Sequence, residues 1–231
     1  MLLLEKYEYS PIDRVTTIDR KRHYKLPDGS SVPSVTTILD ATKSKEKREA
    51  LANWRKRVGT EQAQQISTEA ANVGTLMHKN LELYINSDER KVGSNQIHQQ
   101  AYNMSNVIIA EGFRQVAEIY GTEVALYASG LYAGTTDCIG LWNGKLAILD
   151  FKQTNKPKKR EWVDDYFCQL TAYAQAHNEM FDTKINTGVI LMCSRDLTYQ
   201  EFVIEGDEFD DVAEGWNNKV AQYYNVGFQK Y

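Results

Sequence analysis

The segment at residues 132–152, "YAGTTDCIGLWNGKLAILDFK", constrains the fold more than any other part of the chain. Two β-rich runs flank the dipeptide Asn143-Gly144, and Asn-Gly between such runs is a strong short-range signal for a tight antiparallel hairpin. The second run, "LAIL", is apolar on both faces, as in a strand at the centre of a covered sheet. The segment therefore predicts a hairpin inside a buried sheet.

This hairpin would bring two carboxylates together. Asp137 lies six residues before Asn143, and Asp150 lies six residues after Gly144, so antiparallel pairing places them opposite or nearly opposite each other. Facing carboxylates repel one another unless a positive charge lies between them. Mg²⁺ binds carboxylate oxygens, backbone carbonyls and water. The hairpin therefore predicts a Mg²⁺ site at Asp137 and Asp150.

Lys152 adds a cation to this site. It lies two residues after Asp150 in a strand, so both side chains point to the same face. A lysine beside a metal can orient or deprotonate a water, or neutralise charge that develops on a phosphorane. An Asp-x-Lys triplet also arises by chance about once in a chain of this length, and the two residues can simply pair.

Two predicted helices supply further polar candidates, and one glycine bears on the backbone near Asp137. His78 and Glu82 lie at i and i+4 on one helix, and Gln169 and Tyr173 do so on another. Gly134 permits a close backbone approach or a bulge near Asp137. A lone histidine is more often an ordinary core or surface residue, and the second pair can be a packing contact. The occurrence of all these elements in one order favours a functional site.

The remaining pattern predicts a mixed α/β (α+β) fold. A Pro-Asp-Gly-Ser turn at 27–30 indicates a short hairpin, and amphipathic runs at 44–59, 60–87 and 95–121 predict helices, the last closed by Gly121. After these helices, the pattern predicts strands and helices in the order β-β-β-α-β-β-α. We expect one domain over 1–231, with a mainly helical part at 1–121 and a sheet core at 122–231.

Composition and charge narrow the class of protein. The net charge is −4, so the chain is not a generally basic nucleic-acid coat, yet residues 41–60 carry seven Lys or Arg against two Glu. No apolar run is long enough for a membrane span, and the first residues read as neither a secretory signal nor a mitochondrial presequence. We therefore expect a cytoplasmic protein without a membrane partner.

The cysteines point to no metal or disulfide framework. Cys138, Cys168 and Cys193 lie far apart in the sequence and form no Cys-x-x-Cys motif. The pattern is typical of three buried thiols rather than of a zinc ribbon.

With these motifs in place, the chain resembles the RecB-type branch of the PD-(D/E)xK nuclease superfamily. That pattern is an ordered set of Gly-x-x-x-His, Gly-x-x-Asp, (Asp/Glu)-x-Lys and Gln-x-x-x-Tyr, matched here by Gly74 with His78, Gly134 with Asp137, Asp150 with Lys152, and Gln169 with Tyr173. The N-terminal half is similar to the mitochondrial genome maintenance exonucleases and their phage and bacterial relatives. It shares a Pro-Ser-Val-Thr segment, a Trp-Arg-x-Arg helix and a Gly-Thr-x-x-His element.

The resemblance implies a restriction-endonuclease-like sheet and a single-stranded DNA exonuclease that depends on Mg²⁺ or Mn²⁺. It implies that His78, Asp137, Asp150 and the Phe151 carbonyl surround the metal, and that Lys152 is catalytic. It gives Gln169 and Tyr173 supporting roles in catalysis. Some relatives hold an iron–sulfur cluster on four cysteines; this chain has three, so we expect no cluster. A phage or bacterial origin and a role in replication, recombination or repair are further expectations.

Two basic segments are candidates for contact with a single strand of DNA. In the family a helical arch threads the strand, and we expect it within residues 45–85. Trp54 is a candidate stacking platform, or else a core residue. The predicted contacts are Lys43, Lys47, Arg48, Trp54, Arg55 and Arg57 in the first segment, and Lys156, Lys158, Lys159 and Arg160 in the second.

Other functions remain compatible with the sequence. The same fold can carry a structure-specific or sequence-specific endonuclease, and a non-catalytic nucleic-acid binding subunit is a further alternative. A metal-binding protein without a nucleic-acid partner is disfavoured by the basic segment at 41–60. The sequence leaves open the polarity of digestion, the choice of DNA or RNA, and any helicase or recombinase partner.

Overall fold

The computed structural model describes residues 1–16 and 21–228. Its strands are β1 (Leu2–Leu3), β2 (Asp13–Thr16), β3 (Arg22–Lys25), β4 (Ser31–Pro33), β5 (Val116–Ala128), β6 (Tyr132–Trp142), β7 (Lys145–Thr154), β8 (Thr187–Ser194) and β9 (Tyr199–Glu205). Its α-helices are α1 (Val35–Ala41), α2 (Lys45–Val58), α3 (Thr60–Ile85), α4 (Gln96–Glu111), α5 (Asp164–Phe181) and α6 (Asp207–Phe228). The strands form a central sheet in the order β1-β5-β6-β7-β8-β9 and a small sheet in the order β2-β3-β4.

The central sheet is mixed, and the predicted fold class is confirmed. β5, β6 and β7 form an antiparallel meander, β7 pairs with β8 in parallel through the α5 crossover, and β9 returns antiparallel to β8. The turn between β6 and β7 consists of Asn143 and Gly144, with φ angles of 47° and 78°. Both angles are positive, as a two-residue hairpin turn of this kind requires, so the predicted hairpin is also confirmed.

Helices cover both faces of the sheet. The apolar residues of α3 and α4 pack on one face, and those of α1, α5 and α6 pack on the other. On β7, Ala147 and Leu149 contact the first layer while Ile148 contacts the second, as the apolar run predicts. Cys138 and Cys193 lie in the first layer and Cys168 in the second. All three are free and buried, which confirms their assignment as buried thiols.

The prediction of one helix over 95–121 is wrong at its C-terminal end. α4 ends at Glu111, a 3-10 turn spans Gly112–Gln115, and β5 begins at Val116. Gly121 lies inside β5 beside a break in register. β5 forms because it pairs with β6 over nearly its whole length, an interaction between distant segments that helical periodicity does not reveal. The change from helices to the main sheet thus lies at residue 116, and strands β1 to β4 precede it.

The predicted basic helix is confirmed as α2. The Ser44 hydroxyl caps its N-terminus by accepting a hydrogen bond from the Lys47 amide at 3.3 Å, and the helix stops at Gly59, whose φ is 93°. All of α2 lies in the described part of the chain, and none of its residues is buried. Trp54 is half-buried and lies outside the hydrophobic clusters. Among the described helices, none combines the length and the apolar character needed to cross a bilayer.

The N-terminal segment packs on α5 around a buried histidine. His177 is 0% exposed, and its two ring nitrogens are hydrogen-bonded to the Tyr9 hydroxyl at 3.1 Å and the Thr183 hydroxyl at 2.8 Å. The rings of Tyr7 and Phe181 lie 4.8 Å from the imidazole, centroid to centroid. Burial lowers the pKa of His177 to about 4.

This histidine should make the fold less stable as the pH falls. In the unfolded chain it titrates near 6.5, so between about pH 6.5 and 4 the unfolded state binds a proton that the folded state excludes. The free energy of unfolding should therefore decrease across this window, by up to about 3 kcal/mol from His177. Urea unfolding followed from pH 7.5 to 4.5 measures the slope. A His177→Gln variant should show a shallower slope, and equal slopes would contradict the assignment.

Candidate active site

The candidate site lies where β6 and β7 separate. Backbone pairing runs from the hairpin turn to the pair Cys138–Leu149, one step before Asp137 and Asp150. Beyond that pair, Asp137 Oδ2 accepts a hydrogen bond from the Phe151 amide at 2.7 Å. The register of the hairpin therefore sets the two aspartates at facing positions. The Asp137 carboxylate lies in the gap between the separated strands.

Asp150 and Lys152 form a largely buried ion pair on one face of β7, with side chains 5% and 19% exposed. The Lys152 Nζ lies 2.7 Å from Asp150 Oδ1 and 2.6 Å from Oδ2. Burial, opposed by Lys152 and reinforced by the charge of Asp137, raises the pKa of Asp150 to about 6. Burial lowers the pKa of Lys152, but the carboxylates of Asp150 and Asp137 raise it by more, so it lies above its usual value. Lys152 is therefore a cation at neutral pH.

α3 brings a histidine to Asp137. His78 Nδ1 lies 3.4 Å from Asp137 Oδ1. Burial lowers the pKa of His78, but the charge of Asp137, its hydrogen bond and the charge of Asp150 together outweigh burial, so the net shift is upward. Burial likewise raises the pKa of Asp137, whereas His78 and Lys152 lower it by more, so the net shift is downward. Each partner thus stabilises the charged form of the other.

Contacts between α3 and β7 fix the position of this histidine. Gln153, the residue after Lys152, donates a hydrogen bond from Nε2 to the Ala70 carbonyl of α3 at 3.1 Å. Gly74 faces the same side chain, and a methyl group there would lie 3.4 Å from Gln153 Cγ. The helix that carries His78 therefore rests directly on the strand that carries Lys152.

A third carboxylate, Glu123, joins the site without having been predicted. The pairs Thr122–Cys138 and Val124–Thr136 place Glu123 beside Asp137 on the neighbouring strand. Its φ is 52°, an uncommon left-handed conformation for a non-glycine residue. Burial, followed by the charge of Asp137, raises the pKa of Glu123. A non-local irregularity in β5 creates this position, so the local sequence carries no signal for it.

These side chains fit a hard divalent cation. One ligand atom each from His78, Glu123 and Asp137 lie within 4.8 Å of one another. Carboxylate oxygens with one imidazole suit Mg²⁺ or Mn²⁺ better than a soft metal. Asp150, the other predicted carboxylate ligand, contacts Lys152 instead in this arrangement. Phe151 contributes its amide to Asp137, and its carbonyl remains a predicted ligand.

A small cavity opens beside this cluster. It has a volume of about 210 Å³ and is lined by His78, Glu123 and Asp137 from the cluster, by Gly134 and Tyr173, and by Arg14, Arg22 and Tyr24 from the small sheet. The Tyr24 hydroxyl lies 3.3 Å from the Thr135 hydroxyl, a contact that joins the small sheet to β6. The small sheet thus places two arginines at the same cavity as the acidic cluster, which the sequence did not indicate.

Gly134 makes room for the Tyr173 ring and does not form a bulge. β5 and β6 pair without a break at Leu126–Gly134, and a methyl group on Gly134 would lie 2.7 Å from Tyr173 Cε1. Tyr173 is 5% exposed, so its ring has little room to move. Burial and the two aspartates raise the pKa of Tyr173 well above its usual value. Its phenol is therefore neutral at neutral pH.

Gly134→Ala should consequently destabilise the fold by about 1–3 kcal/mol, because the new methyl group overpacks the site. In a Tyr173→Ala background the same substitution should cost much less, because the clashing ring is absent. Urea denaturation of the two single variants and the double variant gives the coupling energy. An equal penalty in both backgrounds would show that the clash is not with Tyr173.

The predicted nucleic-acid contacts differ in what they already touch. Four of them form ion pairs within the protein: Lys43 with Asp40 at 2.8 Å, Lys47 with Asp165 at 3.1 Å, Lys159 with Glu161 at 3.8 Å and Arg160 with Glu208 at 2.5 Å. Arg48 donates hydrogen bonds to the Ala41 and Lys43 carbonyls. Four of the predicted contacts form no ion pair within the described ranges, 1–16 and 21–228: Arg55, Arg57, Lys156 and Lys158.

Gln169 is half-buried on α5, and its role remains a prediction.

Comparison with known proteins gives sequence relatives and a fold. No family model matches the chain. The chain is 30% identical over 182 residues to mitochondrial genome maintenance exonuclease 1 of Mus musculus, covering 74% of this chain and 53% of the mouse protein. It is 24% identical over 196 residues to the Homo sapiens protein of that name, covering 80% and 56%. The chain spans about half the length of the curated relatives it matches.

A solved structure supports the fold. A candidate exonuclease from Eubacterium rectale superposes with a TM-score of 0.50 at 15% identity, covering 68% of this chain and 65% of that chain. At this identity the match shows the fold alone. The sequence relatives confirm the resemblance that the ordered motifs indicate.

Proposed function

We propose that this chain, a relative of the mitochondrial genome maintenance exonucleases, is a metal-dependent nuclease of the PD-(D/E)xK type that digests single-stranded DNA from an end. The observation that carries the proposal is the meeting of Asp137, Asp150, Lys152 and His78 where β6 and β7 separate. A buried cation beside paired carboxylates matches the needs of phosphodiester hydrolysis, in which negative charge grows on phosphate oxygens. We further propose that this activity serves DNA replication, recombination or repair in a phage or bacterium.

Asp137, Glu123 and His78 would hold the metal, with Asp150 and the Phe151 carbonyl as further ligands. Bound there, a Mg²⁺ or Mn²⁺ ion supplies Lewis acidity and a lowered pKa for water. The protein's part is to fix the ligands: the Phe151 amide holds one oxygen of Asp137 and leaves the other facing His78. The hydrogen bond from β7 therefore orients the central carboxylate.

Lys152 would stabilise the charge that develops on the scissile phosphate. Its ammonium group is largely buried, charged and anchored on Asp150, so it is preorganised before the substrate arrives. Tyr173 would act as a neutral hydrogen-bond donor at the edge of the cavity. Arg14 and Arg22, which line the same cavity, would hold a neighbouring phosphate.

α2 and the first half of α3 would guide the strand. Arg55 and Arg57 lie in the last turn of an exposed helix and are available for phosphates. Trp54, half-buried on the same helix, can stack with a base along one side of its ring. A passage of this kind requires a free end, which supports an exonuclease rather than an endonuclease.

Cleavage should depend on both a free end and a divalent ion. Incubation with end-labelled linear single-stranded DNA in Mg²⁺ or Mn²⁺ should release labelled products, whereas EDTA should abolish the reaction. A circular single strand should stay intact. Cutting of the circle would favour an endonuclease, and no cleavage with either metal would favour a binding subunit.

A further inference from the structure

A second cleft lies next to the candidate site, and we propose that it binds one nucleotide of the substrate strand. This Trp162 cleft is lined by Gln153, Lys156, Lys158, Trp162 and Tyr166, among others, and has a volume of about 390 Å³. The base would stack on Trp162, and the attached phosphate would lie at Lys156 and Lys158. The inference rests on the proposed function and adds a binding subsite to it.

Trp162 has the exposure expected of a stacking platform. Its side chain is 58% exposed, whereas Trp142 is 3% exposed and Trp216 is fully buried. It ends a short 3-10 turn, and its amide donates a hydrogen bond to the Lys159 carbonyl at 3.0 Å. The exposed ring offers a large apolar surface that a stacked base would bury. Every base has a π face, so such a platform accepts any sequence.

Two lysines give the cleft its attraction for phosphate. Lys156 and Lys158 have no acidic partner in the described part of the chain, unlike the adjacent Lys159 and Arg160. The Lys158 amide donates to Gln200 Oε1 at 2.7 Å, and Gln200 Nε2 donates to the Lys158 carbonyl at 2.8 Å. The backbone of this loop is thus held in place on both sides. Both lysines therefore project from a loop whose backbone is anchored before any ligand binds.

The Trp162 cleft is continuous with the catalytic strand. The Lys152 Nζ lies 4.9 Å from the centre of the Tyr166 ring, which forms part of the cleft wall. Gln153, the next residue, lines the cleft, and its Oε1 is buried without a hydrogen-bond partner within 1–16 and 21–228. Ala70 at the cleft and His78 at the candidate site lie on one face of α3, about 12 Å apart along its axis. A strand crossing the site would therefore reach the cleft.

Binding in EDTA tests this inference without cleavage. Fluorescence anisotropy of a labelled oligothymidylate should show that Trp162→Ala binds about 5- to 150-fold more weakly than the original protein. Trp162→Phe, which keeps a ring, should retain most of the affinity. Lys158→Gln should lower the slope of log affinity against log salt by about 0.7. Lys184→Gln serves as the control, because Lys184 is exposed and follows the C-terminal end of α5, far from the cleft.

The outcomes separate this inference from the proposed function. If the original protein binds and digests single-stranded DNA while Trp162→Ala binds equally well, the cleft is not a subsite and the nuclease proposal stands. If Lys184→Gln lowers the salt slope as much as Lys158→Gln, the lysine contact is nonspecific and the inference fails. If the original protein neither binds nor digests single-stranded DNA, both proposals are wrong.

Discussion

Replacing Lys152 with methionine should reduce the rate of DNA digestion by at least about a hundredfold to a thousandfold. Methionine has nearly the length of lysine but no charge, so the substitution removes the ammonium group that lies within 2.7 Å of both Asp150 oxygens. The developing charge on the phosphate then loses its nearest protein cation. Release of labelled nucleotide from linear single-stranded DNA in Mn²⁺ measures the loss.

The fold should survive this change better than the loss of an ordinary buried ion pair. Removing one partner usually leaves a buried charge, at a cost of several kcal/mol. Asp150 already has a pKa raised to about 6, so it can take up a proton near neutral pH and relieve that cost. Circular dichroism and a urea melt should therefore show a folded protein.

Lys145→Met is the matched control for Lys152→Met. Lys145 lies on the same strand and also forms an ion pair, with Glu205 at 2.8 Å, but both side chains are more than half exposed. An exposed pair contributes little, so digestion should be unchanged. A folded Lys152→Met protein that keeps most of its activity would overturn the catalytic assignment of Lys152.

Local sequence chemistry was sufficient to predict the centre of the site. The Asn143-Gly144 turn fixes the register of the hairpin, and the register alone sets Asp137 and Asp150 at facing positions. The two-residue spacing of Asp150 and Lys152 gives them one face of β7, and the structure joins them there. These features depend on residues near one another in the chain, which is where sequence patterns carry the most information.

Features that depend on distant segments were missed. Glu123 reaches the site because β5 pairs with β6 and carries a residue with positive φ, and β5 itself overlaps a stretch with helical periodicity. Arg14 and Arg22 reach the cavity because the small sheet packs against β6. No spacing rule connects either arginine to Asp137, so only the folded chain shows their proximity.

Counting charges in a segment does not separate basic residues that contact the protein from those that do not. Arg48 donates hydrogen bonds to the Ala41 carbonyl at 2.7 Å and to the Lys43 carbonyl at 2.9 Å, so it fastens α2 to the end of α1. Arg160 contacts Glu208 and the Val203 carbonyl. Both were grouped with residues such as Arg57 that have no such contacts in the described ranges. The difference is set by the tertiary neighbours of each side chain, and a binding role for Arg48 or Arg160 remains a prediction.

Replacing Asp137 with asparagine should weaken Mn²⁺ binding by at least about tenfold to a hundredfold and abolish digestion. Asp137 contacts His78 at 3.4 Å and the Phe151 amide at 2.7 Å, and it belongs to the group formed with Glu123. Asparagine has the same shape, and its oxygen can still accept the Phe151 hydrogen bond. The substitution therefore removes a charge and leaves the local backbone in place.

Titration calorimetry with Mn²⁺ tests this assignment independently of DNA. Asp182→Asn is the matched control, since Asp182 is an exposed cap at the far end of α5 with a φ of 50° that asparagine also tolerates. The control should bind Mn²⁺ with unchanged affinity. If Asp137→Asn loses digestion yet binds Mn²⁺ as tightly as the original protein, Asp137 acts on the substrate rather than on the metal. In that case the metal would have to be held by other ligands, and the arrangement of His78, Glu123 and Asp137 would reflect only mutual charge compensation.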